Sequence, residues 1–209
     1  YLMFTEMSES IFFLDAIPRE NVLTITSSSA AGFLSDTLKF ICRARREGFD
    51  AAVDLELFSR YSAILSYLSG APIRVGFDNF HAEGLYRGSL LTHRVHYNYY
   101  HHISLNFLSL FKALTAPDTY DIPLLKEHIA GDEIEKTMLP SSPEAEKAIR
   151  EKLRKEWPEA GPHSRLIVLN PNASQLLPLR RWPLGNYIAL AKRLLEDPAC
   201  AVVLTGSAA

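Results

Sequence analysis

Apolar and polar positions along this chain fall into blocks that switch between two periods. Short, nearly continuous apolar runs at Tyr1–Phe4, Asn21–Thr26, Asp50–Leu55, Ile73–Phe77, Arg165–Leu169 and Ala201–Thr205 read as strands. Their shortness and lack of alternation fit strands covered on both faces. Helical spacing fills much of the rest. Ser8–Ala16 reads as a short helix that Pro18 ends. Leu34–Arg46 places Leu34, Leu38 and Ile41 on one face, with Lys39, Arg43, Arg45 and Arg46 outside or near the C-terminus, where cations suit the helix dipole. Gly48 is its expected stop. Ser59–Leu68 is the next helix, closed by Gly70, and His102–Leu114 follows with a core stripe of Ile103, Phe107, Leu110, Phe111 and Leu114.

Two further helices follow. Pro143–Trp157 starts from Ser142 as cap and Pro143 as first residue. Ala145, Ile149, Leu153 and Trp157 are its predicted buried side. Glu146–Arg150 and Glu151–Lys155 are i,i+4 pairs of the favourable order, so this charge run is a solvated helix face. Pro183–Glu196, with Pro183 at the first helical position, predicts a core face of Leu184, Tyr187, Ile188, Ala191, Leu194 and Leu195. Asp197-Pro198 ends it.

Residues 1–77 therefore alternate βαβαβ, and residues 165–205 repeat β-loop-α-β, which argues for parallel sheets with crossover helices. Three parts are expected: a first α/β domain over 1–140, a connecting helix and linker over 141–163, and the start of a second α/β domain over 164–209. Ser27–Ser29 reads as a turn. Asp78–Tyr100 reads as irregular, and Thr115–Pro140 is weakly patterned. The chain opens at Tyr1 inside a strand pattern and closes just after another, so a longer protein is expected.

Composition changes this picture little. A net charge of −2 gives no reason to expect a nucleic-acid partner. Cys42 and Cys200 stand far apart, without metal or redox spacing, and fit reduced, buried thiols of a cytosolic protein. The longest apolar runs, Ile11–Leu14 and Ala63–Leu68, are far short of the roughly 20 residues that span a bilayer.

Candidate chemistry gathers at strand ends. Asp54, Glu56, Ser59 and Arg60 follow the strand Asp50–Leu55, where an open α/β sheet places its ligand groups. A local ion pair at the helix start explains the same cluster, and both readings stay open. His81, His93, His96, His101 and His102 lack the i,i+4 pairing and the accompanying carboxylates or cysteines of a zinc site, so no metal is expected. The stretch LNPNASQLLPLRRWPLGNY, Leu169–Tyr187, joins a strand to a helix. It offers Asn170, Asn172, Ser174, backbone N–H groups, a helix N-terminus, Arg180 and Arg181. Those parts suit a phosphate, although neither a G-x-G-x-x-G nor a Walker loop is present.

These residues resemble glycosyltransferase family 9, the ADP-heptose:lipopolysaccharide heptosyltransferase family. L-N-P-N-A-S, L-R-R-W-P, L-A-K-R-L-L and V-V-L-T-G-S resemble its donor-domain opening. D-A-A-V-D-L-E-L-F-S-R, R-V-G-F, G-L-Y-R-G, L-L-T-H-R-V and H-H-I-S-L-N-F resemble its acceptor domain, in order. The resemblance implies a GT-B architecture of two Rossmann-like parallel-sheet domains, the second incomplete here. It implies inverting, metal-independent transfer of a sugar from a nucleotide diphosphate, with ADP-heptose the expected donor and no cofactor. The acceptor would be a lipopolysaccharide core or related lipid-linked glycan. The enzyme would be cytoplasmic, with peripheral contact at the inner face of the inner membrane.

Carried over, Arg180 falls where the family places a basic residue, often lysine, beside the donor diphosphate, and Arg181 is its neighbour. Asn172 and Ser174 fall on the loop expected to hydrogen-bond the phosphates. Arg60, Glu56 and His102 fall at acceptor positions, with Glu56 standing where relatives commonly have glutamine, which suits a less anionic acceptor. The family's catalytic aspartate would precede Tyr1, and further donor groups would follow Ala209, so this stretch alone is expected to be inactive. Asp54 has the chemistry of a base, but anchoring its strand end is the simpler role. Two other readings stay open: another GT-B enzyme such as a sugar-nucleotide epimerase, and a non-catalytic nucleotide-sugar binding protein.

Overall fold

The structure is a computed structural model that describes residues 1–14, 16–79, 81–116, 129–131, 134, 142–160, 164–171 and 181–206. The chain divides into two compact units, Tyr1–Pro140 and Ser141–Ala209.

In the first unit, β1 (Leu2–Phe4) pairs in parallel with β2 (Leu23–Ile25). Between them the helix expected at Ser8–Ala16 is a 3-10 run, Thr5–Leu14. The hydroxyls of Ser8 and Ser10 donate to carbonyls three residues back, at 2.8 and 2.7 Å, which favours the tighter winding. Helix α1 (Ala30–Glu47) starts at Ser29, whose hydroxyl accepts from the Gly32 N–H, so one member of the serine run has a defined capping role. It stops at Gly48, whose φ of 67° is the left-handed conformation that glycine adopts most readily.

The inward face of α1 is only partly the expected one. Leu34 and Leu38 are 60% and 54% exposed, while Ile41 is half-buried as expected. Phe33, Thr37, Phe40 and Ala44, also buried or half-buried, lie one step back along the same period. Tyr61 decides the choice: its ring lies 5.0 Å from that of Phe33, and its hydroxyl pairs with Thr37 Oγ1 at 2.5 Å.

A second sheet in this unit has the order β3-β4-β5, all parallel: β3 (Ala51–Asp54), β4 (Ile73–Phe77) and β5 (His93–Val95). Strand β5 lies inside the stretch expected to be irregular. It is only three residues long and contains His93 and Arg94, so no apolar period announces it. Helix α2 (Arg60–Leu68) connects β3 to β4, and α3 (Ile103–Ala113) packs on β4 and β5. Val75, Phe77, Leu85, Val95, Leu110 and Ala113 form the core.

The expected stripe on α3 holds at Leu110, which is buried, and at Phe107 and Leu114, which pack half-buried against the core, whereas Ile103 and Phe111 are exposed and Asn106, Ser109 and Ala113 are buried instead. Small residues let this helix approach the sheet, and Asn106 tolerates burial because its amide is fully engaged. In the register, Gly76 pairs with Asp54 and Arg94. A Cβ at Gly76 would lie 3.0 Å from Leu91 Cδ1 and 3.2 Å from Asp54 Cβ, so glycine fits this close approach without displacing either side chain.

In the second unit, α4 (Pro143–Glu156) begins at Ser142, whose hydroxyl accepts from the Ala145 N–H at 3.2 Å. Its predicted buried side is corrected: Ala145 and Ile149 are exposed, and only Leu153 and Trp157 are half-buried. An amphipathic period buries a face only where a partner element covers it. Strands β6 (Arg165–Leu169) and β7 (Cys200–Leu204) pair in parallel along their whole length. Helix α5 (Leu184–Leu194) packs on β7 through half-buried Tyr187, Ala191 and Leu194, while Leu184, Ile188 and Leu195 stay exposed on its flank. Pro183 is the cap rather than the first helical residue. Its ψ of 136° is extended, and its carbonyl accepts from the N–H groups of Asn186 and Tyr187.

Candidate functional site

All three strands of the β3-β4-β5 sheet run the same way, so the loops that follow them share one edge. That edge is where open parallel sheets bind ligands.

Strand β3 ends at Asp54, only 5% exposed. Its carboxylate accepts from the Glu56 N–H at 3.1 Å and the Ser62 hydroxyl at 2.9 Å. The aspartate thereby anchors the strand end to the loop and to α2. Burial pushes its pKa up to about 6, against the opposing pull of those two donors and of the Arg87 charge. The Ser62 hydroxyl lies 2.9 Å from both Asp54 Oδ2 and the Ser59 carbonyl, so it ties the strand end to the first turn of α2. Enclosed in this way, Asp54 is a structural carboxyl.

Glu56 is exposed, and its Oε1 accepts from the Phe58 N–H at 3.0 Å, closing the loop on itself. Ser59 caps α2 by accepting from the Tyr61 N–H. Arg60, the first residue of α2, donates through Nη2 to the Glu83 carbonyl at 2.7 Å. The two open readings of the Asp54–Arg60 cluster are thus both modified. It contains anchoring hydrogen bonds, but Arg60 holds a carbonyl of the next loop rather than a carboxylate of its own.

The loop after β4 is held by charges that the sequence reading missed. Asp78, 1% exposed, accepts from the Arg87 N–H at 3.1 Å and lies 3.8 Å from Arg94 Nη1. Burial raises its pKa, against the hydrogen bond from Arg87 and the charges of Arg94 and Arg87. Arg87 is itself 3% exposed. It donates to the carbonyls of Gly84 at 2.7 Å and Leu57 at 2.6 Å. The available signal was Asp78 standing directly past a strand end. Its partner Arg87 lies nine residues on, inside an aperiodic loop.

Two of the histidines on and after β5 have defined partners. His93 is buried, with Nδ1 against Thr92 Oγ1 at 2.9 Å and Nε2 against the Ala116 carbonyl at 3.1 Å. His102 is exposed at the head of α3, where Nδ1 accepts from the Ser104 N–H at 3.3 Å and pairs with Ser104 Oγ at 2.5 Å. Glu56, Arg60 and His102 therefore stand on loops or helix starts at one sheet edge.

Of the phosphate-loop residues, Asn172, Ser174 and Arg180 lie outside the described residues. Arg181 is exposed, just before Trp182, whose ring packs edge-on against Tyr187 at 4.9 Å. This contact fixes the approach to α5.

Parallel strands, crossover helices and ligand-type polar groups at strand ends define a Rossmann-like α/β protein, and two such units in tandem are the GT-B pattern. The family's sequence model matches residues 37–209, and the chain belongs to glycosyltransferase family 9 (heptosyltransferase). No curated protein matches it. Among solved structures it resembles Escherichia coli ADP-heptose lps heptosyltransferase II, with a TM-score of 0.55 and 19% identity over 99% of this chain and 54% of that one. It also resembles a glycosyl transferase family 9 protein from Veillonella parvula DSM 2008, with a TM-score of 0.64 and 14% identity over 99% of this chain and 53% of that one. The chain thus spans about half the length of these relatives. Among the described residues, no helix is long and apolar enough to cross a membrane.

Proposed function

We propose that the protein containing this chain transfers a sugar of the heptose class from a nucleotide-diphosphate donor to a lipid-linked glycan, by an inverting, metal-independent route. The observation that carries this reading is the family match over residues 37–209. The polar strand-end edge carrying Glu56, Arg60 and His102 supports it, as does the E. coli relative named for ADP-heptose and lps.

In this reaction an acceptor hydroxyl attacks the anomeric carbon from the side opposite the diphosphate. The new glycosidic C–O bond forms as the bond to the diphosphate breaks. The hydroxyl proton passes to the family's aspartate base, and the nucleoside diphosphate leaves with the electron pair. Arg180 stabilises the charge that builds on that leaving group, with Arg181, Asn172 and Ser174 holding the phosphates. Arg60, Glu56 and His102 bind the acceptor. Work on a lipid-linked acceptor places the enzyme in the cytoplasm, with peripheral contact at the inner face of the inner membrane.

Calorimetric titration of the longest chain the gene encodes with ADP-heptose, beside other sugar nucleotides, tests the reading. Saturable binding of a sugar nucleotide is expected, and no binding of any of them would overturn it.

A further inference from the structure

The edge that carries Glu56 and Arg60 also presents aromatic rings. Phe58 follows β3 and is 75% exposed; Tyr99 and Tyr100 follow β5 and are 69% and 98% exposed. A single exposed apolar side chain needs no explanation. The tyrosine pair differs because its backbone turn is held in place and the Tyr99 ring is packed.

Two sets of contacts hold it. The Tyr97 ring packs edge-on against the core residue Phe77, with centroids 5.2 Å apart and planes at 84°. Tyr99 then packs on Tyr97 at 5.0 Å and 72°, so a chain of aromatic contacts runs from the core to the surface. The turn itself is tied to α3 by Asn106, which is 3% exposed. Its side chain accepts from the Asn98 N–H at 2.8 Å and donates to the Asn98 carbonyl at 3.0 Å. Asn98 in turn accepts from the Tyr100 N–H at 2.9 Å and the His101 N–H at 3.3 Å. Two solvent-facing rings are thus mounted on a turn fastened to a buried amide.

We propose that Tyr99 and Tyr100 form a stacking platform for an uncharged pyranose ring of the acceptor glycan. This subsite rests on the glycosyltransferase reading above. The C–H bonds of a pyranose face carry partial positive charge and suit the negative face of a tyrosine ring, while the phenol hydroxyls remain free to meet sugar hydroxyls. The packed Tyr99 ring, and a turn already fixed, lose little freedom on binding. The local charge favours a neutral sugar over an anionic lipid surface. Among the exposed groups of the loops after β3 and β4, the carboxylates of Glu56 and Glu83 outnumber the guanidinium group of Arg60, and residues 96–102 add no lysine or arginine. Juxtamembrane segments that bind anionic lipid show the opposite balance.

The test uses the longest chain the gene encodes, as wild type, Tyr99→Ala/Tyr100→Ala and Tyr99→Phe/Tyr100→Phe. The probe is a deacylated, dephosphorylated lipopolysaccharide core oligosaccharide, titrated by calorimetry. Vesicles of phosphatidylethanolamine and phosphatidylglycerol are run in parallel, and transfer from ADP-heptose is followed separately. The alanine pair is expected to weaken oligosaccharide binding about tenfold or more, as the loss of two stacked rings implies. The phenylalanine pair is expected to stay within about threefold of wild type, because the ring face carries the contact. Unchanged oligosaccharide affinity in the alanine pair, or no oligosaccharide binding by wild type, would overturn the platform. Loss confined to vesicle binding would also overturn it, in favour of a membrane contact. Absent sugar transfer in wild type would instead count against the glycosyltransferase reading, so the two failures are separable.

Discussion

The Arg87 guanidinium donates to the carbonyl of Leu57 at 2.6 Å, joining the loop after β4 to the loop after β3. The same side chain also holds Gly84, while its backbone N–H holds Asp78. Removing it leaves two part-buried carbonyls without their donor and takes one compensating charge from the buried carboxyl groups of Asp54 and Asp78, the latter still facing Arg94. Arg87→Met is therefore expected to cost about 3 kcal/mol of stability. Arg87→Lys keeps the charge but cannot span both carbonyls, and should recover part of that loss. Urea denaturation checks both, and an unshifted midpoint for Arg87→Met would contradict the assigned role.

Asp54 makes stability depend on pH in the direction opposite to an ordinary salt-bridged aspartate. Its folded pKa of about 6 lies above the ordinary aspartate value of 3.8, so the folded chain holds the proton more tightly than the unfolded chain. Its contribution is most favourable below the unfolded value and is lost as pH rises through about 6. Asp54→Asn supplies a permanent N–H donor to Ser62 and removes this dependence. Relative to that variant, wild type is expected to gain about 2 kcal/mol between pH 7 and pH 4. Parallel urea melts at both pH values measure the difference. A pH-independent gap would show that Asp54 stays ionised.

His102 has two assigned roles that one substitution separates. As the cap of α3 it satisfies the Ser104 N–H, and His102→Ala should cost about 1 kcal/mol. His102→Asn keeps a capping side chain, so stability should return. If the imidazole also meets the acceptor, the asparagine variant keeps its melting midpoint but shows a raised acceptor KM. Complete recovery of KM would restrict His102 to capping.

Arg60 stands at the same edge, with Nη2 on the Glu83 carbonyl. Arg60→Ala is expected to raise the acceptor KM about tenfold and leave sugar-nucleotide affinity within about twofold. Steady-state kinetics with each substrate varied in turn separates the two. An equal loss for donor and acceptor would place Arg60 outside the acceptor site.

Much of the fold was legible because local chemistry and the final structure agree. Ser142 caps where expected, Gly48 takes the left-handed stop, and β4 and β6 match their apolar runs. Helix faces were read less well. Both Leu34–Leu38 and Phe33–Thr37 satisfy a helical period, and only the distant Tyr61 selects the second. Strand β5 was hidden because a neighbouring strand, rather than its own pattern, makes three residues extended.

In the candidate site, Glu56, Arg60 and His102 were found from their place after strands and from family resemblance. Asp78 and Arg87 were not, because buried ion networks are assembled across loops whose spacing carries no period. Tyr99 and Tyr100 looked like ordinary loop residues until the Asn98–Asn106 hydrogen bonds showed the turn to be fixed.

The most direct test of the central claim is transfer of labelled heptose from ADP-heptose to a lipopolysaccharide core acceptor, by the longest chain the gene encodes and by its Arg180→Ala variant. The account expects product from wild type, with inversion at the anomeric carbon. In the variant it expects kcat to fall at least about a hundredfold, as loss of one charge-stabilising group implies. Sugar-nucleotide binding without any transfer would leave a nucleotide-sugar binding protein, and undiminished transfer by Arg180→Ala would contradict the role given to that residue.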